Sequence, residues 1–316
     1  MAKTKKAEAL ELAPRKRTLR EEIWRHRVLY LYLLPCVISL LVFSYYPMYG
    51  ATLAFKNYRY DLGILRSPWV GLRNFREFFT SYMFWETTRN TVVISYLKTL
   101  FCWPAPIFLA LLLNELRFSK FKRIVQTFSY LPAFVSWAVV ANIMVLILSP
   151  YGGIVNNIRQ YMGLNARFFM GEKNFFYPLL LISHNWKNVG WGTIIYLSAL
   201  SSVNPELYEA AYMDGAGKLK CVWHITLPSI KTTIGILFIF EMGSVFNSGY
   251  EQVLLLQQPA NMEISEVMDT YVLRMAFSRG RFELATAIGL FRSVISFAVL
   301  WLANQFSKKF LEVGIF

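Results

Sequence analysis

The chain has 316 residues, of which 55% are hydrophobic, and its formal net charge is +14. Its apolar residues fall in long blocks and do not alternate along amphipathic elements, which argues against soluble domains and predicts several membrane spans. The excess positive charge lies beside those blocks, where a cytoplasmic bias of Lys and Arg or attraction to anionic lipid explains it. No nucleic-acid partner is therefore expected.

The first 27 residues form a polar, basic tail. This segment contains nine Lys and Arg residues and no long apolar core. A segment of this kind is neither a cleavable signal peptide nor a membrane span. We therefore expect residues 1–27 to be a cytoplasmic tail.

Six apolar blocks follow the tail, each close to the roughly 20 residues that a helix needs to cross the hydrocarbon. Backbone polar groups must be satisfied internally in lipid, and blocks this continuously apolar favour helices over the strands of a barrel. The sequence predicts an all-α integral membrane protein with about six spans in a transmembrane domain at 28–305, followed by a short cytoplasmic tail at 306–316. The spans are expected near 28–48, 90–113, 124–148, 176–199, 231–249 and 286–305.

The distribution of Lys and Arg predicts the orientation of these spans. The short loop after the second span carries Arg117, Lys120, Lys122 and Arg123, and the N-terminal tail is also basic. Short loops rich in Lys and Arg stay in the cytoplasm. With an even number of spans, both termini and the loop at about 200–230 are cytoplasmic. The long loop at about 250–285 is then external, where it docks a partner, gates the outer mouth or is a plain surface loop.

The loop at about 200–230 contains the signals of a short helix. Asn204 is a good N-cap, Pro205 suits the first helical position, and Glu206 places a carboxylate where the helix dipole favours one. Gly215 can adopt the left-handed conformation that commonly ends a helix. A helix of about ten residues cannot cross a bilayer. From the helix alone, an amphipathic connector on the membrane surface is as good an interpretation as a docking element.

The run Gly-Ala-Gly-Lys at 215–218 resembles part of a phosphate-binding loop but does not match the full pattern. Such a loop needs Gly five residues before the Gly-Lys pair and Ser or Thr after it, whereas this chain has Tyr212 and Leu219 there. The three Cys and three His residues are scattered, so we expect no disulfide framework and no metal site. The chain itself is therefore not expected to be an enzyme or to bind a cofactor.

The same loop contains a fixed pattern with the spacing E-A-A, three residues, G, nine residues, I, one residue, L-P. At every fixed position this pattern resembles the cytoplasmic signature of permease subunits of bacterial ATP-binding-cassette (ABC) importers. Leu131-Pro132 and Asp269-Thr270-Tyr271 resemble the carbohydrate-uptake type, in the branch for oligosaccharides and complex polysaccharides, and most of all permeases for alginate-type polyuronides. The residues of the pattern are Glu209, Ala210, Ala211, Gly215, Ile225, Leu227 and Pro228.

This resemblance implies the type I ABC importer permease fold in a multi-pass protein of the bacterial inner membrane. It implies a heterodimer with a second permease, two cytoplasmic ATPase subunits that bind ATP and Mg, and an extracytoplasmic solute-binding protein that delivers an oligosaccharide. Transport would proceed by alternating access, driven by ATP-dependent closure of the ATPases. The first four residues of the pattern would form a coupling helix and its turn in a cleft of the ATPase. The last three would seat the next segment against the membrane.

Charged residues inside the predicted spans are candidates for the substrate pathway, because a charge in lipid costs roughly 2.5 to 3.5 kcal/mol and should face a cavity or a partner. Lys187 belongs to the polar stretch at 184–188, which offers the hydrogen bonds and aromatic ring that usually hold a sugar. The alternative is that these groups form hydrogen bonds between helices or extend to the lipid headgroups. Three cations against one acid would suit an anionic sugar such as an alginate fragment. The candidates are Lys98, Asn185, Trp186, Lys187, Asn188, Glu241 and Arg292.

Two other classes of protein remain as alternatives. A membrane-embedded enzyme of polysaccharide assembly would need a carboxylate or metal constellation at a membrane face, and the sequence offers none. An ion-coupled sugar carrier would need internally repeated halves with broken helices, and no repeat is evident. Glu241 is the one carboxylate in a predicted span, although backbone carbonyl groups can also bind sodium.

Overall fold

The computed structural model describes residues 24–116, 118–247 and 249–315, and the chain divides into two compact units, 1–52 and 53–316. Within the described ranges every regular element is a helix, and one isolated antiparallel bridge joins Lys56 and Trp69. This confirms the prediction of an all-α chain. Most of the basic tail predicted at 1–27 lies outside the described residues.

The first unit is dominated by one apolar helix. α1 (Arg27–Leu40) continues through a π-helical turn (Leu41–Tyr45) and α2 (Tyr46–Met48) into a 3-10 turn (Tyr49–Phe55). The wide π turn is explained by Pro47, because in a regular α-helix its ring would clash with the carbonyl group four positions earlier. Together these segments make a helix of 29 residues that is long and apolar enough to cross a membrane.

The second unit is built from helices of very different lengths. Its α-helices in chain order are α3 (Gly63–Arg66), α4 (Arg73–Thr80), α5 (Tyr82–Phe101), α6 (Pro104–Glu115), α7 (Ser119–Tyr130), α8 (Trp137–Leu148), α9 (Ile154–Tyr161), α10 (Lys173–Ser201), α11 (Pro205–Met213), α12 (Lys218–Cys221), α13 (Leu227–Ser229), α14 (Lys231–Ser244), α15 (Tyr250–Leu256), α16 (Met262–Ser265), α17 (Met268–Leu273) and α18 (Phe282–Leu311). Short π or 3-10 turns lie at Leu131–Phe134, Phe169–Gly171, Val222–Thr226, Val245–Asn247, Pro259–Asn261 and Arg274–Ser278.

The lengths and compositions of the helices bear on the predicted spans. Among the described residues, the helical stretches long and apolar enough to cross a membrane are Arg27–Phe55, Tyr82–Glu115 and Phe282–Leu311. Two more qualify as bent pairs, one with a bend of 104° before α8 and one with a bend of 65° before α14. Five of the six predicted spans coincide with these stretches. The remaining one, at 176–199, lies within α10, whose 29 residues are interrupted by the polar stretch at 184–188.

Three clusters of buried apolar side chains hold the second unit together. The first joins α8, α10 and α15 around Phe176 and Val253. The second packs α4, α17 and α18 around Phe78 and Ile288. The third joins α6, α10 and α14 around Tyr196. α10 therefore belongs to two of the three clusters, whereas α4, α17 and α18 pack together without it.

Small residues let α10 approach its neighbours closely. At Gly190 a Cβ atom would collide with the backbone carbonyl group of Ser129 in α7, and at Gly192 it would lie 2.9 Å from the ring of Pro106 in α6. Thr193 donates its hydroxyl to the carbonyl oxygen of Pro106 at 3.3 Å. Close approach through glycine and hydroxyl groups is typical of helix packing in membranes.

The predicted external loop at about 250–285 is largely helical. It consists of α15, α16 and α17 with the π turn Arg274–Ser278, and it packs through α17 on α18. The last long helix, α18, extends to Leu311, six residues beyond the predicted end of the transmembrane domain at 305. The domain boundaries at 27 and 305 stay predictions.

Candidate functional site

A short helix, α11, lies in the loop predicted at about 200–230. The side chain of Asn204 accepts a hydrogen bond from the backbone N–H of Glu206 at 3.1 Å, and Pro205 occupies the first helical position. The carboxylate of Glu206 lies in the first turn, where the helix dipole stabilises it. The helix therefore begins where the sequence predicts.

A left-handed glycine closes α11. The φ angle of Gly215 is 77°, in the region that glycine adopts at low cost. The backbone N–H of Ala216 donates to the carbonyl oxygen of Ala211 at 2.9 Å, and that of Gly215 donates to Tyr212 at 3.1 Å. This pair of hydrogen bonds is the Schellman motif, so the helix also ends as the sequence predicts.

The surface of α11 is open to a partner. Glu209 and Ala210 are exposed and Ala211 is half-buried, so small side chains leave room for close approach. Large apolar side chains in and after the helix are also exposed. They are Leu207, Tyr212, Met213, Leu219 and Trp223.

A hydrogen bond ties α11 to the segment that follows it. Tyr208 Oη lies 3.0 Å from Thr226 Oγ1, at the end of the π turn that leads through α13 into α14. As at Pro47, the wide turn accommodates a proline, here Pro228. Ile225 and Leu227 are half-buried and Pro228 is exposed. This hydrogen bond therefore links α11 to the turn that precedes α13 and α14.

A cavity of about 520 Å³ lies between α5, α10 and α14. It combines an ammonium group, a carboxylate, amides and aromatic rings, which together can form hydrogen bonds with a sugar and stack against it. Four of the predicted pathway residues line it, namely Lys98, Asn185, Asn188 and Glu241. The rings on its wall belong to Trp103, His184, Trp191, Tyr196 and Phe240.

The cavity lies at an interruption between α5 and α6. The backbone N–H groups of Cys102 and Trp103 both donate to the carbonyl oxygen of Lys98, at 2.7 and 3.2 Å, and α6 begins immediately afterwards. Asn185 donates its side-chain amide to the carbonyl oxygen of Phe101 at 3.4 Å, and so adds a partner for the last turn of α5. Cys102 and Trp103 keep backbone angles in the α region, so the interruption is a local wide turn within the helical stretch Tyr82–Glu115.

Lys98 belongs to a side-chain network that the sequence does not predict. Its Nζ atom donates to Gln252 Oε1 at 2.8 Å, and Gln252 Nε2 donates to Leu180 O and Ser183 Oγ, both at 2.8 Å. All four residues are buried. Gln252 lies in the predicted external loop, 154 residues from Lys98, and no local pattern marks it as a partner. Only the fold brings the two together.

Lys187 and Trp186 do not line the cavity. Lys187 is buried and donates to the carbonyl oxygens of Ala133 at 2.8 Å and Val135 at 2.5 Å, at the bend between α7 and α8. Trp186 is exposed. Successive helical residues point about 100° apart, so His184, Asn185 and Asn188 of the stretch share the cavity face, whereas Trp186 and Lys187 between them do not.

Lys187→Met is expected to destabilise the bend between α7 and α8. It removes the ammonium from the carbonyl groups of Ala133 and Val135, and a buried polar group left unpaired costs about 1–3 kcal/mol. We expect a lower midpoint of thermal unfolding for the purified protein, with most of the loss recovered in Lys187→Arg, which still donates from a charged group. A midpoint unchanged in Lys187→Met would show that this lysine does not hold the bend.

Arg292 on α18 does not line the cavity either. It forms an ion pair with Asp269 on α17, with the arginine side chain partly buried and the carboxylate largely so. This pair fastens the predicted external loop to the last long helix. Of the seven pathway candidates, the structure therefore brings four to one cavity, and their role in transport stays a prediction.

A second ion pair joins the predicted external loop to α4. Arg281 binds both carboxylate oxygens of Glu77, and this hydrogen bonding lowers the pKa of Glu77 below its ordinary value. Tyr60 Oη donates to the carbonyl oxygen of Gly280 at 3.1 Å. Residues 53–80 and the predicted external loop therefore form one continuous surface.

The sequence profile of a family described as binding-protein-dependent transport system inner membrane component matches residues 104–312. Two relatives from Bacillus subtilis strain 168 are similar over nearly the whole chain. The polygalacturonan/rhamnogalacturonan transport system permease protein YteP is 43% identical over 302 residues, which cover 96% of this chain and 94% of the relative. Protein LplB is 42% identical over 292 residues, which cover 92% of each chain.

Two solved structures share the fold. A chain in the crystal structure of a bacterial ABC transporter involved in the import of the acidic polysaccharide alginate is 38% identical, with a TM-score of 0.86 over 92% of this chain and 99% of that one. A chain of the bacterial alginate ABC transporter, crystallised with an alginate pentasaccharide-bound periplasmic protein, is 37% identical, with a TM-score of 0.87 over 95% of this chain and 100% of that one.

Proposed function

Because the chain belongs to the family of binding-protein-dependent transport system inner membrane components, we propose that it is a pore-forming permease subunit of an ATP-driven importer for an acidic oligosaccharide. The observation that carries the proposal is similarity over 96% and 92% of the chain to permeases named for polygalacturonan/rhamnogalacturonan transport and for alginate import. These polymers contain uronic acids. Fragments of such a polymer, alginate among them, are therefore the proposed cargo.

The cavity between α5, α10 and α14 is the proposed passage for the sugar. Lys98 offers a cation, Asn185 and Asn188 offer amides, and Glu241 offers a carboxylate that can accept hydrogen bonds from hydroxyl groups. The aromatic rings on the cavity wall add apolar surface for the faces of the sugar rings.

Six spans would place both termini and α11 in the cytoplasm of a bacterium, with the chain in its inner membrane. In this arrangement α10 is a span despite its polar stretch, because 29 residues at about 1.5 Å each exceed the roughly 30 Å of hydrocarbon. Its polar groups face the cavity or other helices, as Asn185 and Lys187 do. The basic residues at 117–123, around the start of α7, and those in the N-terminal tail support the orientation.

α11 is the element through which an ATPase would act. Its small residues Ala210 and Ala211 and the apolar side chains around them suit a cleft in a cytoplasmic partner. Two ATPase subunits would bind ATP and Mg, and a second permease would complete the pore. Closure of the ATPases would displace α11, and the contact between Tyr208 and Thr226 would pass that displacement to α14, which carries Glu241.

The surface formed by residues 53–80 and 250–285 is the proposed docking site for a solute-binding protein. It is held together by Arg281 with Glu77, Tyr60 with Gly280, and Arg292 with Asp269. A related transporter was crystallised with a periplasmic protein that carries an alginate pentasaccharide, which supports a partner of this kind.

The proposal is tested by reconstituting the chain with its second permease, ATPases and binding protein in proteoliposomes. We expect uptake of uronate oligosaccharides that requires both ATP and the binding protein, and ATPase activity stimulated by the loaded binding protein. Uptake driven by a proton or sodium gradient without ATP would contradict the importer and favour an ion-coupled carrier.

A further inference from the structure

The ammonium of Lys98 is held at the cavity wall by a buried side chain. Lys98 is 7% exposed, and its Nζ atom donates to Gln252 Oε1 at 2.8 Å. Lysine side chains near a membrane surface usually extend towards the headgroups. This one is instead directed into the protein, at the point where α5 ends and the cavity opens.

The amide of Gln252 can present its oxygen to Lys98 in one orientation only. Its Nε2 atom donates to the carbonyl oxygen of Leu180, which can only accept, and to Ser183 Oγ. Turning the amide over would set its oxygen against the Leu180 oxygen and its NH₂ group against the ammonium. Gln252 is therefore a rigid support that links α15 to α10 and fixes the position of Lys98.

The backbone next to this pair leaves room for the ammonium. Gly249 has a φ of 61°, and a Cβ atom there would lie 2.7 Å from Lys98 Nζ. A side chain at this position would be strained in its backbone and would push the ammonium away. The amide of Gln252 and the bare backbone of Gly249 therefore both contribute to the surroundings of Nζ.

We propose that Lys98 binds the carboxylate of a uronate residue of the sugar inside the cavity, and that Gln252 positions it to do so. The inference rests on the proposed function, since it takes the cavity as the sugar's passage. The ammonium makes a charge-assisted hydrogen bond with either acceptor, but a carboxylate also carries the opposite charge, so a carboxylate within reach competes with the neutral amide of Gln252 for the ammonium. Lys98 thereby becomes the residue that distinguishes acidic from neutral sugars.

Glu241 defines which side of the cavity takes the acidic group. It lies on α14 and lines the same cavity as Lys98 on α5. A carboxylate repels a second carboxylate and accepts hydrogen bonds from hydroxyl groups. The uronate group is therefore directed to Lys98, and the sugar hydroxyls to Glu241. Replacing Glu241 by Gln removes the repulsion and should lower the KM for the acidic sugar.

The test compares two sugars in the reconstituted complex. The probes are trigalacturonate and an alginate trisaccharide, each with its carboxyl-reduced, neutral counterpart, and the rate for each variant is divided by the wild-type rate for the same sugar. Lys98→Met should lower uptake of the acidic sugars about tenfold, as expected for one charge-assisted hydrogen bond, and that of the neutral ones less than about twofold. Lys187→Met is the matched control, since its structural role lowers all four rates by the same factor.

Two further variants of Lys98 separate charge from shape and need the acidic sugars alone. Lys98→Arg keeps the charge and should retain at least about a third of the acidic uptake, whereas Lys98→Gln keeps only hydrogen bonding and should lose as much as Lys98→Met. A third variant, Gln252→Glu, is measured with the acidic and the neutral sugars and should reduce the preference for acidic ones, because its carboxylate would form an ion pair with the ammonium. Thermal unfolding of each purified complex identifies a variant that has simply failed to fold.

The outcomes decide between the two proposals. Equal losses for acidic and neutral sugars in Lys98→Met, or full uptake in Lys98→Gln, would overturn the role of Lys98 and leave the importer intact. A wild-type complex that takes up no uronate oligosaccharide with ATP would overturn the proposed cargo, and the role of Lys98 with it.

Discussion

Gly215→Pro is expected to abolish ATP-driven uptake while the protein still reaches the membrane. Gly215 has a φ of 77°, whereas the ring of proline holds φ near −65°, so α11 cannot close in the same way. The substitution also removes the N–H that donates to the carbonyl oxygen of Tyr212 at 3.1 Å. Uptake in proteoliposomes and the amount of protein in the membrane fraction are the two measurements.

Neighbouring substitutions make this prediction specific to the turn. Gly217→Ala adds a methyl group where φ is −80° and no atom lies within 4 Å, so it should be tolerated. Gly215→Asn should retain part of the uptake, because asparagine adopts the left-handed conformation more readily than most residues. A bulky residue at the half-buried Ala211 should be as harmful as Gly215→Pro. ATP-dependent uptake retained in Gly215→Pro would show that the turn does not transmit the ATPase movement.

The short helix α11 could be predicted from the sequence because its signals are local. Asn204 and Pro205 fix its start through groups within two residues, and Gly215 fixes its end through backbone geometry. None of these signals depends on how distant parts of the chain pack. Its attachment to the rest of the molecule was not predictable, because the contact between Tyr208 and Thr226 spans 18 residues and no repeat or motif pairs them.

The cavity could be predicted only in part. A charged or amide side chain within an apolar block needs a polar partner or a water-filled cavity. Lys98, Asn185 and Glu241 are predicted as cavity residues for this reason. The residue type alone does not show which partner it has. Lys187 meets the same need by donating to backbone carbonyl groups at a bend and not by lining the cavity. Gln252 could not be predicted as a cavity residue, because a glutamine in a predicted loop is usually exposed. Its buried position depends on the packing of α15 beside α10.

The bends within two of the predicted spans were not predictable, for a related reason. Hydropathy measures how apolar a segment is and carries no information about the direction of the helix axis. The bend of 104° within the predicted span at 124–148 could therefore not be predicted from it. Pro132 does not mark the bend, because Leu131 before it keeps the α conformation and the backbone turns instead at Val135, where ψ is 134°. The support for the bend comes from Lys187, more than 50 residues further along the chain. The bend is therefore a property of the packed protein.

Gly190→Leu is expected to prevent assembly of a folded permease, the largest loss of stability among the substitutions considered. A Cβ atom at Gly190 would collide with the carbonyl group of Ser129, which belongs to the backbone of α7 and cannot rotate away like the end of a side chain. Inserting bulk into a well-packed interior costs about 1–3 kcal/mol and occasionally more. Gly190→Ala should fold with a lowered midpoint of thermal unfolding, and Gly190→Leu should yield no complex in gel filtration.

The matched control is Gly289 on α18, another helical glycine, beside which a Cβ atom would meet nothing within 4 Å. Gly289→Ala should leave the midpoint unchanged or raise it, because alanine favours a helix by about 1 kcal/mol over glycine. If Gly190→Ala behaved like Gly289→Ala, α10 and α7 would have to lie further apart than the structure places them. Because Lys187 reaches the bend before α8 from the same helix, its contacts would loosen as well. The position of Asn185 and Asn188 at the cavity therefore depends on a glycine that does not line it.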